Sequence, residues 1–394
     1  MTIRFVAGIA ALGLAPTTAM ALGLDRSGQP VDILFEDGNY FEFSVGRVFP
    51  SVDGTDLAIF GGRDTGEVAL DYNQVGAALK LQMTDRVSLA FASGQPYGAD
   101  ISYPSGRSVA LGDTLAEVNS RELNVLARYE INDNLSVHGG FRYTHLDSSV
   151  TLSGAAYGGL SGYRADFDED GDFGLIAGVA YEIPDIAFRV ALTYFEGTEH
   201  ELRTTETLGG VGVGSIPAVA LGLPANPFST TSTTPVETPD AVNLDFQTGL
   251  NESTLLFGQI RYAWYGDTIS SPAFFDALNE PTTPGSSLTD IEDSYALEIG
   301  VGRRLTDRLS GSLSFGYEPE EDDDLVSPLA PTNGQRSVGL GLSYAVNDQV
   351  SVAGGLRYVW LGDAFAETGT PDVARTSFED NRVVGIGAQV GYSF

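Results

Sequence analysis

Residues 122–135 read ELNVLARYEINDNL. Leu123, Val125, Ala127 and Tyr129 fall on one side of an extended chain, while Glu122, Arg128 and Glu130 fall on the other. A period of two marks a strand whose two faces meet different surroundings. Asn132-Asp133-Asn134 supplies tight-turn chemistry, and the strand pattern resumes at Leu135. One such unit fits a soluble sheet or a membrane barrel, and the rest of the chain decides between them.

The unit recurs along the chain. The pattern predicts fourteen strands, with cores near 40–49, 68–82, 87–97, 118–130, 135–149, 171–182, 187–203, 241–250, 254–265, 293–304, 309–317, 336–345, 350–361 and 382–394. Short polar turns such as 84–86, 184–185, 306–308 and 347–349 alternate with long connections such as 50–67, 98–117, 152–165, 204–240 and 266–292. Short turns on one side and long loops on the other are the asymmetry of an outer-membrane barrel, and an even strand count allows closure. Phe173, Leu175, Ala177, Val179 and Tyr181 form a second apolar row, and Val384, Ile386, Ala388, Val390, Tyr392 and Phe394 form the last. Tyr129, Tyr181, Tyr344 and Tyr392 lie by the short turns or the C-terminus; Tyr143, Tyr194, Trp264, Tyr317 and Trp360 lie by the long loops. Lipid interfaces select two such belts. The expected fold is an all-β, antiparallel transmembrane barrel over 40–394, in the bacterial outer membrane.

Composition agrees. The chain has 394 residues, no Cys, 48 Gly and a formal net charge of −32. Without Cys there is no disulfide and no thiolate chemistry. So acidic a chain offers no basic patch, so no nucleic acid is expected as a partner. Residues 1–21 read as a secretory signal peptide, with Arg4 before an apolar core over 5–14 and Ala19-Met20-Ala21 as a small-x-small cleavage site. Residues 22–39 then form a short segment ahead of the first strand.

Three features bear on function. Val87, Leu89 and Phe91 alternate properly, but the third strand breaks at Ser93-Gly94-Gln95-Pro96-Tyr97-Gly98. Proline has no N–H for a ladder, and an unpaired backbone in lipid leaves a gap. Residues 208–228, LGGVGVGSIPAVALGLPANPF, form an uncharged loop where a polar one belongs. Leu208, Val211, Val213, Ile216, Val219, Leu221, Leu223 and Phe228 are its candidate capture residues for a hydrophobic ligand, with Tyr157-Gly-Gly-Leu160 as packing partner; a buried plug is the alternative reading. Lys80, the single lysine, and Arg128, Arg142, Arg189, Arg261 and Arg357 have inward parity. Most should brace the barrel as ion pairs, with one or two free for an anionic head group.

No catalytic motif, cofactor or metal site is expected. Residues 166–172, DFDEDGD, open like a calcium loop, but the twelfth position is Ala177 instead of the bidentate acid. His138 and His145 differ in parity, and no nucleophile elbow, P-loop or His-Glu-x-x-His occurs.

Several stretches resemble the FadL-type outer-membrane transporters of long-chain fatty acids and related hydrophobic compounds. Residues 93–98, SGQPYG, are similar to the family's kinked third strand. Residues 122–135 resemble its AYxxxDxL hairpin, and Gly171-Asp-Phe-Gly174 followed by Gly178 is similar to its Gly-Asp-x-x-Gly entry to the sixth strand. Arg189–Tyr194, 199–202, 238–244 and Tyr262-Ala-Trp264 continue the likeness. The resemblance implies a fourteen-stranded barrel with an N-terminal hatch in the lumen, capture at external loops, and lateral release at the third strand. It departs at the start: the family's Asn-Pro-Ala hatch element is missing from 22–39. The expected function is passive uptake of hydrophobic molecules. A general porin or structural barrel is the alternative, and an outer-membrane hydrolase a third. Partners would be the ligand, outer-membrane lipid and lipopolysaccharide, and the barrel-assembly machinery reading the last strand, which ends at Phe394.

Overall fold

The computed structural model describes residues 24–279, 286–289, 291–320, 324–369 and 373–394. The expected signal peptide lies outside them. Seventeen strand segments build a closed antiparallel barrel of 14 staves. They are β1 (Tyr40–Ser51), β2 (Tyr72–Gln82), β3 (Val87–Gly94), β4 (Gly98–Ser102), β5 (Leu115–Glu130), β6 (Leu135–Leu152), β7 (Tyr163–Ile183), β8 (Phe188–Phe195) and β9 (Glu199–Leu208). The rest are β10 (Thr231–Glu237), β11 (Asp240–Asn251), β12 (Thr254–Trp264), β13 (Ser294–Arg304), β14 (Leu309–Glu318), β15 (Gln335–Ala345), β16 (Val350–Leu361) and β17 (Arg382–Ser393). Three staves are broken in two: β3/β4, β8/β9 and β10/β11. The seam closes β1 on β17, from Tyr40 opposite Ser393 to Ser51 opposite Arg382.

Side-chain oxygens hold the short turns. Asn132 Oδ1 accepts from the Asn134 and Leu135 amides at 2.9 and 3.0 Å, and Asn347 Oδ1 does the same for Gln349 and Val350. Thr84 and Thr306 serve two other turns in this way. The apolar rows point outward: Leu123, Tyr129, Phe173, Leu175, Val179, Tyr181, Ile386 and Val390 are all exposed. In water that row would be unfavourable; in lipid it is the reason the barrel stays inserted.

Three expectations need correction. The sequence predicts a loop over 152–165 and a strand from 171, whereas β7 already begins at Tyr163. Likewise 204–240 holds strand at its two ends, the end of β9 and all of β10. These stretches alternate too, but with the polarity of a water-facing sheet: Tyr163, Ala165 and Phe167 are buried while Arg164 and Asp168 are exposed. A lipid template passes over such strands. The segment expected as one strand over 187–203 is also interrupted, at Glu196-Gly197-Thr198.

Residues 24–39 lie inside the barrel. Val31, Ile33 and Leu34 are buried against Tyr40, Ala78, Ala90, Leu126 and Ile176, whose small or apolar side chains point into the lumen. A short turn of 3-10 helix, Asp32–Phe35, shapes this hatch. At the long-loop end, Val52, Val68, Tyr103, Leu111, Ala364 and Phe378 form a separate core.

Candidate functional site

Pairing of β3 with β2 stops at Ser93 opposite Ala77. On its other side Gly94 faces Glu122 and Gly98 faces Asn119, so the kinked stave holds one residue more than β5. That is a β-bulge. It reverses the parity, and Tyr97 turns inward with 2% of its surface exposed. The β5 side stays closed, because Tyr97 donates its amide to Ser120 Oγ (2.8 Å) and Ser120 donates back to Tyr97 O (2.6 Å). The β2 side does not. Beyond Ala77 the next main-chain tie is the Leu70 amide on Asp100 O at 2.9 Å. Between these points Gln95 Oε1 accepts from the Val75 amide at 3.1 Å. A Cβ on Gly94 would meet nothing within 4 Å.

The hatch fills this gap from inside. The Arg26 amide donates to Pro96 O (2.6 Å), and the Gly98 amide donates to Leu24 O (2.9 Å), so the hatch pairs with the broken stave as an added strand would. Gln74 Nε2 donates to Arg26 O at 2.5 Å. The Arg26 guanidinium bonds Asp100 at 2.7 Å and lies 4.0 Å over the Tyr72 ring. Gly98 makes room for it, since a Cβ there would sit 2.3 Å from the guanidinium carbon. Behind this seal a lumen cavity of about 180 Å³ reaches Ser93, Gly94, Gln95 and Pro96 from Gln29, Ile33, Glu42 and Ser44. Arg26 carries no periodic or motif signal, and sequence reasoning missed it.

The six inward basic residues all have protein partners. Lys80 donates to Glu36 O, Arg189 pairs with Asp32, and Arg128 pairs with Glu182 and donates to Ser136. Arg142 donates to Tyr97 Oη (3.3 Å) and faces Glu122 at 3.8 Å. Arg261 pairs with Asp25 at 2.6 Å and also donates to Asn243 Oδ1. Arg357 pairs with Glu298 at 2.6 Å. Unpaired, such buried charges would be costly.

Above the hatch the lumen changes character. A pocket of about 80 Å³ is walled by Leu24, Ala116, Val118, Leu146, Val150, Phe167, Leu202, Val236 and Leu329. It continues outward into a vestibule of about 590 Å³ bordered by Leu152, Tyr157, Leu160 and Phe275. Tyr265, Thr268, Leu288 and Ile291 border both spaces. Burial, followed by the Asp25 carboxylate, pushes the Tyr265 phenol well above its ordinary value, so it stays neutral. Among the described residues the Thr268 hydroxyl has no hydrogen-bond partner, and Thr268 is 6% exposed. Both residues come from the connection after β12, remote in sequence from the walls they complete.

The capture candidates divide. Val213 is buried, and Ile216, Leu221, Leu208 and Phe228 pack beside it; the Phe228 ring lies edge-on to Phe274 at 4.9 Å. Asn226 ties the loop by donating to Val213 O and Ile216 O, both at 2.8 Å. Phe274 is the second residue of a short helix, α1 (Ala273–Asn279), and Glu206 accepts its amide at 3.0 Å. Val211, Val219 and Leu223 instead face outward, Val219 at 86% exposure. None of the eight borders the pocket or the vestibule, whereas Tyr157 and Leu160 border the vestibule.

A second break lies four staves further along the wall. Pairing of β7 with β8 stops at Ile176 opposite Phe195 and restarts with β9 at Phe167 opposite Thr204. Carboxylates bridge it: Asp170 accepts from the Glu201 amide and Asp172 from the Glu199 amide, both at 3.0 Å, and Glu196 accepts from Leu175 at 2.8 Å. The acidic run 166–172, which opens like a calcium loop in sequence, is therefore strand, and its acids patch the wall.

The family of outer membrane transport proteins described as OMPP1/FadL/TodX matches residues 54–394. No curated protein matches the sequence. Among solved structures, a FadL homologue of Pseudomonas aeruginosa superposes with a TM-score of 0.72 at 15% identity, covering 99% of this chain and 98% of that one. The toluene transporter TodX of P. putida gives 0.63 at 12% identity, with 92% of each chain covered. The toluene transporter TbuX of Ralstonia pickettii gives 0.61 at 14%, covering 98% of this chain and 94% of that one.

Proposed function

This chain belongs to the OMPP1/FadL/TodX family of outer-membrane transport proteins and is an integral outer-membrane β-barrel, and we propose that it is a passive channel for hydrophobic molecules. The cargo meets the exposed Val211, Val219 and Leu223 at the long loops, enters the vestibule, and passes the apolar pocket. It then leaves sideways between β2 and β3 into the membrane. The names of the neighbours, a FadL homologue and two toluene transporters, are in keeping with such cargo.

The observation that carries the reading is the gap in the β2–β3 ladder with a lumen cavity behind it. A water-filled pore does nothing for an apolar solute, whose favourable step is loss of contact with water. A dry pocket followed by a side exit keeps it out of water throughout and uses no energy source. Membrane anchoring follows from the outward rows, and we assign to Phe394 the contact with the barrel-assembly machinery.

The test is uptake of a radiolabelled hydrocarbon by cells producing Gly94→Val with Pro96→Val. Side chains and an N–H restored at these positions should zip β3 to β2. Uptake should fall to the level of cells without the channel, while the barrel still migrates as a folded band on unheated gels. Normal uptake by a folded double variant overturns the lateral route.

A further inference from the structure

The walls of the path above the hatch also say what charge the cargo carries, an inference that rests on the channel reading above. Among the described residues, no Lys, Arg or His borders the pocket or the vestibule. The ionisable acids that border them are Glu237 and Glu367. The internal segments outside the description, 280–285, 290, 321–323 and 370–372, contain no basic residue in sequence. Deeper in the lumen, the inward Arg and Lys side chains already have their partners, so an arriving anion finds no waiting cation. A carboxylate entering this pocket would shed its water and gain no counter-charge, against the field of a chain with net charge −32.

Among the described residues, the hydroxyls of Tyr157, Tyr265 and Thr268 on these walls make no hydrogen bond; Tyr265 lies beside the Asp25 carboxylate and Tyr157 beside Thr114, which leaves Thr268 as the one with no polar group assigned to it. The Thr268 hydroxyl stands where pocket and vestibule meet, buried and without a partner. A buried hydroxyl in that state is a site for one neutral hydrogen bond. A cargo whose apolar part fills the space between Leu146, Val150, Phe167 and Leu202 can place a single oxygen there.

We propose that the cargo is uncharged, a slender hydrophobic molecule carrying one hydroxyl or carbonyl that hydrogen-bonds Thr268, and that fatty-acid anions are not its substrates. The pocket's volume of about 80 Å³ favours a narrow chain over a fused ring system.

Three probes of one shape test this: radiolabelled dodecane, 1-dodecanol and dodecanoate at pH 8. Uptake is measured in Gram-negative cells producing the full chain and lacking any other channel of this family. Each value is taken relative to cells without the chain. Dodecane and dodecanol should enter at least about tenfold faster than dodecanoate, the expected result when an ion has no counter-charge. Thr268→Val should lower the ratio of dodecanol to dodecane uptake about five- to tenfold, the worth of one neutral hydrogen bond. Because the ratio is taken in the same cells, a general loss of folded channel leaves it unmoved. Dodecanoate uptake equal to that of dodecanol overturns the charge assignment and leaves the channel standing. An unchanged ratio in Thr268→Val overturns the role of the hydroxyl. No uptake of any probe above control overturns the channel reading itself.

Discussion

The barrel wall is unzipped in two places, and the two are mended with different chemistry. Between β2 and β3 the outer rim is apolar, with Val75 exposed beside the break, and the main filling comes from within, the hatch backbone and the Arg26 guanidinium, with Gln74 and Gln95 of the wall bonding beside it. Between β7 and β8/β9 the rim is acidic, with Asp168 and Glu169 exposed, and the filling comes from the wall's own carboxylates. A carboxylate facing water keeps its solvation while it accepts an amide; facing lipid it would not. On the proposed lateral route, the difference separates a repair from a door. The acidic mend belongs to the staves and has nowhere to go. The other mend rests mainly on a separate segment that is not itself a stave.

The comparison can be broken at several points. Arg26→Ala should have the largest effect. It removes the Asp100 pair and the stacking on Tyr72, about 1–3 kcal/mol of local stability. Amide exchange at Gly98 should quicken about ten- to a hundredfold. Unchanged exchange would mean that Arg26 does not hold the door.

Asp170→Ala with Asp172→Ala should be milder. The Glu199 and Glu201 amides each lose an acceptor worth about 1 kcal/mol, so their exchange should quicken about five- to tenfold. Hydrocarbon uptake should stay at the level of the unaltered chain. If uptake collapses instead, the acidic break is part of the route and the distinction fails.

Val219→Asn should be the smallest. The residue is almost fully exposed, so the unfolding temperature and folded fraction should hold, within about 0.5 kcal/mol. At limiting hydrocarbon, uptake should fall about twofold, because an apolar contact patch has shrunk. Full uptake would remove the loop from the capture step.

Much of this was legible in the residues. The staves follow from alternation with aromatic ends, and the break at residues 93–98 from proline and glycine inside a strand. The second break was not, since Glu196-Gly197-Thr198 lacks a proline and sits between two alternating runs. Inward parity placed Arg142 and Arg261 in the lumen, but parity says nothing of partners such as Tyr97 and Asp25. Arg26 and Thr268 lie in segments without a period, and only long-range packing gives them a place. Within 208–228, hydrophobicity marked the loop, but only tertiary contacts divide Val213 inside from Val219 outside.

The buried Asp25–Arg261 pair also bears on how the molecule is made. Its partners are 236 positions apart, and the hatch precedes β1, one edge of the closing seam. A closed cylinder admits no chain through its side, so the hatch must already be inside, or threaded through an end, when β17 meets β1. Until then Asp25, Asp32 and the arginines awaiting them face water instead of one another. The last hydrogen bonds of the seam are thus formed around a segment that was the first of the described chain to be made. The hatch is then an internal mandrel for the barrel before it is, on the proposed route, a door.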